Sequence, residues 1–412
     1  MTGHPRFDLD DPTLLFREDV LADPRPLWAE LRRSAPVWKL PGQDTYLVSD
    51  PALIREVVAR PDDFSSNLVS MIHRGADGAV APFDLLPFRD PNHVLAVADP
   101  PDHTRHRKVL QAQLTPAAVA GLEPAVRRLC ADGLALLVEA GRGDAVALLA
   151  DPIPTAMVCE LLGLPASEAQ ELVPLVLGVG ELLDGLADDD GMVRAGGAAL
   201  ALAAHASATI DGQRARPSRE RSALMEAVLA AIDDGTISHD EAVGMLMQLF
   251  TAGTETTQSL TATVIESLAR NPRTQSELRR DPDAVPAALE DALRGDGPFQ
   301  FHYRWATSGT TVGAVEVPAG SRVLLLWSAA NQVVGDPDPQ RRQAPHWAFG
   351  RGIHFCIGAA LARLEARVMI EELLARTGEF GLDPDHPPQR RPSIMLRRHR
   401  SLPLLVRDPD VR

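Results

Sequence analysis

Phe349-Gly350-Arg351-Gly352-Ile353-His354-Phe355-Cys356-Ile357-Gly358 is the stretch on which the reading of this chain turns. Two glycines precede a single cysteine, and a third follows two residues after it. Glycine lets a backbone turn sharply and come close to another group. The residues beyond have helical spacing as far as Gly378, so a helix is expected to start at or just after Cys356. Free N–H groups at a helix start donate to an anion and favour its charge. The stretch therefore suits a cysteine sulfur held as a thiolate in a tight loop, with Phe349 and Phe355 as an apolar shelf. A lone cysteine beside a glycine turn reads more readily as a buried structural residue, since free cysteine is usually buried. The rest of the chain decides between the two.

The chain has 412 residues, a formal charge of −15 and three cysteines. That is too few cysteines for a disulfide scaffold, and the length permits a large core without one. Cys130 and Cys159 lie in apolar helical patterns with no ligand at metal-binding spacing, so they read as core. The acidic balance argues against nucleic acid as a partner. The first residues carry early acids and no apolar export core, and no apolar run is long enough to span a bilayer. The expectation is a cytoplasmic protein that does not touch a membrane.

Periodicity predicts helices over 24–33, 51–60, 102–141 with a break at Thr115-Pro116, 153–163, 167–213, 273–280 and 284–294. Ser238 and Glu241 form a capping-box signature, and the helix they open is predicted to run to Arg270. Strands are expected at 35–49, 304–326 and in the tail, in SIMLRR and LPLLV. Residues 65–97 show no stable period and read as a functional lid. No repeat or domain linker appears. The fold class is mostly α with a smaller β region.

The long helix contains Ala252-Gly253-Thr254-Glu255-Thr256-Thr257. Glycine inside a helix costs about 1 kcal/mol relative to alanine, and threonine is also unfavourable there. A polar helix edge explains such a run about as well as a functional site does. His103 and Arg107, four apart on one helix, share a face, and a solvated basic helix start is the commoner meaning of such a pair.

Taken together, these segments resemble the cytochrome P450 family. Its haem signature of Phe, two residues, Gly, three residues, Cys, one residue, Gly is carried by Phe349, Gly352, Cys356 and Gly358. The resemblance extends from about 23 to 397 and implies a single triangular domain over 1–412. Its helix-rich parts would be about 102–294 and 356–378, and its β-rich parts about 35–50, 304–326 and 390–407. It implies haem b with Cys356 as the axial thiolate, which favours O–O cleavage. His103, Arg107, Arg304 and His354 would serve the haem propionates. Ala252 and Gly253 would leave room for oxygen, and Glu255 with Thr256 would relay protons, with Glu255 as the link to solvent.

The chain departs from the family in two places. The usual Glu-x-x-Arg reads Asp291-Ala292-Leu293-Arg294, and Glu290 is one residue early, on another side of the helix. The stretch from Gln332 to Phe349 is short, and Arg341 or Arg342 is expected to complete the network around Arg294.

The resemblance places substrate contacts at Phe83, Leu86, Leu249, Phe299, Phe301 and Ile394, with His302 and Tyr303 as further polar contacts. It implies an apolar or amphipathic organic substrate. It also implies insertion of one oxygen atom of O2 by a monomeric oxidoreductase, with electrons from NAD(P)H through a ferredoxin reductase and a ferredoxin. A basic patch of Arg107, Lys108, Arg341 and Arg342 would steer that ferredoxin. Other readings are an atypical oxidation (desaturation, coupling or nitration) and a haem sensor or carrier without turnover, for which the Glu255–Thr256 pair has no use. A cysteine hydrolase fits worst, because His354 is badly placed to act as base for Cys356.

Overall fold

In the computed structural model of the chain, Ser238 Oγ accepts from the Glu241 N–H at 3.1 Å and Glu241 Oε2 accepts from the Ser238 N–H at 2.6 Å. This is the expected capping box, and it opens a helix over His239–Ala269. The structure describes residues 7–85, 93–334 and 345–407. At 1.5 Å per residue this helix is about 46 Å long, and its second half is buried nearly all round, from Thr257 to Ala262. It is the axis against which Pro152–Leu161, Ala169–Gly180, Asp189–Ala215, Val285–Gly295 and Ala359–Arg376 pack. Glu241 also pairs with Arg105 at 2.6 Å and His106 at 3.0 Å, which ties the start of the long helix to Asp102–Leu110.

The β region is a five-stranded sheet in the order Val37–Lys39, Thr45–Val48, Arg322–Leu325, His302–Ala306 and Phe64–Ser65. The second and third strands are parallel and the other pairings antiparallel. Opposite Arg304 stands Val323, which fixes the register of the strand that carries the arginine. Side chains alternate along a strand, so His302, Arg304 and Ala306 share one face and Tyr303 and Trp305 the other. No helix among the described residues is long and apolar enough to cross a membrane.

Three local expectations are corrected. Residues 70–84 form an antiparallel hairpin, Ser70–Arg74 with Val80–Asp84, where a lid without regular structure was expected. Gly75, Gly78 and Pro82 had masked its alternation, and the hairpin is held at its ends by Gly185 O, which accepts from the Arg74 N–H at 2.9 Å, and by Tyr303 Oη, which accepts from the Ile72 N–H at 3.3 Å. The helix after the cysteine begins at Ala359, a turn later than Cys356. SIMLRR makes only one bridge, Leu396 with Phe299, because Ser393 Oγ takes the N–H groups of Met395 and Leu396 for itself.

Candidate active site

Gly350 and Gly352 both have left-handed φ, +67° and +75°, where a side chain would strain the backbone. They fold the chain so that the Cys356 N–H donates to Phe349 O at 2.9 Å. Gly358 N–H bonds the sulfur, and Arg107 and Arg363 lie close enough to favour its charge. Burial nonetheless pushes the free thiol up. A metal ion in direct contact would hold such a sulfur as the thiolate. Cys356 keeps some accessible surface, so its side chain is not sealed in the core.

The apolar shelf is smaller than expected. Phe349 is half-buried and carries the Arg363 guanidinium 4.3 Å above its ring, while Phe355 is turned outward with 40% of its surface exposed. Arg363 is held from behind by Glu290 at 2.6 Å, and the same carboxylate meets His346 Nε2 at 2.8 Å. Glu290 thus fastens the cysteine loop to the preceding helix, a role its offset position had concealed. Asp291 pairs with Arg294 at 2.6 Å, as expected. Arg341 and Arg342 lie outside the described residues.

His103, Arg107, Arg304 and His354 come together. The His103 and His354 rings are 4.1 Å apart, and burial together with the charges of Arg304, His103, His302 and Arg107 drives His354 down to about 2. His354 is therefore neutral and shares a 2.8 Å hydrogen bond with Ser66 Oγ. Arg304 is buried, and among the described residues its guanidinium makes one hydrogen bond, from Nη1 to the carbonyl of neighbouring Tyr303 at 2.7 Å. Burial lowers even this guanidinium to about 10. The acid that acts on it, Asp99, is taken by Ser65 and Ser66. Arg107 has no ion-pair partner among the described residues. A buried arginine without a carboxylate is costly, so this cluster fits a ligand that brings carboxylates of its own. The two propionates of a haem would meet that demand.

On the long helix, Ala252 is exposed and Thr256 half-buried in mid-helix, so both face an open space inside the protein. Thr256 Oγ1 donates back to Ala252 O at 2.7 Å. Gly253 does not widen that space: a Cβ there would stand 3.0 Å from Val158 Cγ2, so its missing side chain serves helix packing. Glu255 does not reach solvent. It is 3% exposed, ion-paired with the equally buried Arg398, and pressed under Gly180, where a Cβ would overlap its carboxylate. Arg398 also meets Asp184 at 3.3 Å, and Asp184 is bonded by Arg391, which pairs in turn with Glu181 at 2.7 Å. Sequence reading missed Arg398, Asp184 and Gly180; their signal is a tertiary one.

Of the substrate-side residues, Phe83 on the hairpin, Leu249 on the long helix and Phe299 are half-buried. Ile394 is buried against Gly185. Phe301 is wholly enclosed in the core that also holds Trp28 and Leu326, so it presents no surface to a ligand. Tyr303 is likewise committed, through its bond from the Ile72 N–H. Leu86 lies outside the described residues. Cys356 itself borders a hollow of about 810 Å³, whose rim holds Arg107, Lys108, Arg363 and Arg367 together with Glu123 and Glu290, over an apolar floor that includes Phe355 and Ile357.

Comparison with known proteins agrees with this geometry. The family model described as Cytochrome P450 matches residues 199–292. The chain is 34% identical to Cytochrome P450 144 of Mycobacterium tuberculosis, over 96% of this chain and 92% of that one. It is 32% identical to the monooxygenase PikC of Streptomyces venezuelae, over 89% and 86%. Among solved structures, CalO2 superposes with a TM-score of 0.82 at 27% identity, covering 98% of this chain and 99% of that one. Ligand-free CYP164A2 of Mycobacterium smegmatis gives 0.81 at 30% identity, covering 95% and 98%.

Proposed function

This chain belongs to the cytochrome P450 family and is an oxidoreductase of the monooxygenase type, and from that premise we propose that Cys356 is the axial ligand of a haem b whose substrate is an apolar or amphipathic organic molecule. Haem iron held by a thiolate supplies the redox chemistry that splits the O–O bond of O2. One oxygen atom enters a C–H or C=C bond of the substrate, and the other leaves as water with two electrons and two protons. The observation that carries this reading is the cysteine loop, with its paired left-handed glycines and a cation cluster whose arginines have no ion-pair partner among the described residues.

The roles of the chain's own residues follow from their positions. Gly358 N–H and Arg363 favour the charged sulfur. His103, Arg107, Arg304 and His354 receive the propionates. Ala252 and Thr256 face the reacting space, where the Thr256 hydroxyl orients water and donates a proton. Glu255, a carboxylate while it is paired with Arg398, takes up a proton from solvent when that ion pair opens and passes it on to the Thr256 hydroxyl. The half-buried Phe83, Leu249 and Phe299 make the substrate side apolar. The names of two further relatives, a vitamin D(3) 25-hydroxylase and an erythromycin C-12 hydroxylase, support hydroxylation of an organic small molecule.

At the hollow beside Cys356, Arg363 and Arg367 are paired with Glu290 and Glu123, and Arg107 and Lys108, which have no ion-pair partner among the described residues, suit an acidic electron donor, despite the chain's net charge of −15. A ferredoxin reduced by an NAD(P)H-dependent reductase is the donor this reading names. The test is NADPH oxidation by purified protein with a ferredoxin–reductase pair and a compound library, with products identified by mass. Oxygen-18 from O2 in the product supports the reading. Tight ligand binding without any NADPH-dependent turnover would instead indicate a carrier.

A further inference from the structure

Trp327 Nε1–H donates to His302 Nδ1 at 2.6 Å. Indole nitrogen is a donor only, so Nδ1 of His302 must be the acceptor and the ring proton sits on Nε2. The lock is firm, because Trp327 is buried and stacked on Trp347 with the ring planes 16° apart. Phe299 lies against the imidazole with ring centroids 4.4 Å apart and limits its rotation. Burial, aided by Arg304, holds His302 down to about 3, so the ring is neutral at any working pH.

The remaining N–H has no taker among the described residues. Nε2 makes no hydrogen bond among the described residues, yet the side chain is only half-buried although it is surrounded by protein. It therefore faces the internal space. Strand alternation puts His302 on the same face as Arg304, and His302 acts electrostatically on His354 together with His103, Arg107 and Arg304. A fixed neutral donor beside these groups adds a hydrogen bond without adding to their mutual repulsion.

We propose that His302, oriented by Trp327, donates from Nε2–H to a haem propionate oxygen, as a binding residue additional to His103, Arg107, Arg304 and His354. This rests on the haem-binding reading above. Its test uses ferric holoprotein with two readouts: the propionate bending band in resonance Raman spectra, which follows hydrogen bonding to the carboxylate, and the rate of haem transfer to excess apomyoglobin.

His302→Phe should lower the band frequency and speed transfer about tenfold, the loss of one charge-assisted hydrogen bond. His302→Gln, which keeps an N–H, should stay near wild type in both. Trp327→Phe, which frees the tautomer, should shift the band in the same direction as His302→Phe and gives the answer should that variant not fold. An unshifted band in both His302→Phe and Trp327→Phe overturns the proposal, even with faster haem transfer, since that pattern reports packing alone. Wild-type protein that takes up no porphyrin would fail the haem reading instead, and shows as the absence of any porphyrin spectrum.

Discussion

Arg398 lies between two buried acids, Glu255 of the long helix and Asp184 of the short turn after Ala169–Gly180, and is the cation that joins them. All three side chains are almost fully enclosed. A charge removed from water this thoroughly is tolerated only while its partner is present.

Removing Arg398 should therefore cost more than removing either acid. Arg398→Gln is expected to lower stability by about 3 kcal/mol, because it strands the Glu255 carboxylate and leaves Asp184 with Arg391 alone. Glu255→Gln and Asp184→Asn should each cost about 1–2 kcal/mol, since the other acid still serves Arg398. The Arg398→Gln, Glu255→Gln double variant should lose clearly less than the sum of the singles. Denaturant midpoints across this cycle measure the coupling.

Gly180 should tolerate no side chain. Its Cβ would overlap the Glu255 carboxylate, so Gly180→Ala is expected to destabilise by about 1–3 kcal/mol through overpacking. Gly212, in the helix Asp189–Ala215, has open space around it. Gly212→Ala should stabilise by roughly 0.5–1 kcal/mol, as alanine does over glycine in a helix. Thermal unfolding of the two variants side by side should move in opposite directions.

The fastening of the cysteine loop by Glu290 should depend on pH in a definite sense. Burial works against the ionised carboxylate, but hydrogen bonds from His346 and Arg363 outweigh it and hold Glu290 down to about 2. A carboxylate lowered in the folded state contributes stability above its unfolded pKa of about 4.3 and loses it as pH falls through the folded value. Glu290→Gln should accordingly cost on the order of 2 kcal/mol near neutral pH. The difference from wild type should shrink below about pH 4 and vanish near the folded value. Asp291→Asn, whose carboxylate pairs only within its own helix among the described residues, should show a far smaller gap. Urea titrations at several pH values separate the two.

How far the sequence carried the reading follows from the range of each interaction. The Ser238–Glu241 box and the glycines around Cys356 are local devices: the helix the box opens starts where its signature put it, and the glycines bend the loop as expected although the helix beyond it begins only at Ala359. The hairpin at 70–84 was hidden by its own glycines and proline, and by anchors in Tyr303 and Gly185. Arg398 and Asp184 are 214 positions apart, so nothing local announces their pairing. The opposite error befell Gly253 and Phe301. Their residue types suited an open pocket, but Val158 and the core around Trp28 fill the space. The Glu290 bridge to Arg363 spans 73 positions and was likewise invisible from one helix alone.

The central claim is that the sulfur of Cys356 bonds haem iron, and the spectrum of the dithionite-reduced protein under carbon monoxide tests it most directly. Wild type should show the red-shifted Soret band of thiolate ligation, and Cys356→His should keep haem while losing that band. An unchanged band in Cys356→His, or a wild type that never shows it despite full haem content, would contradict the account.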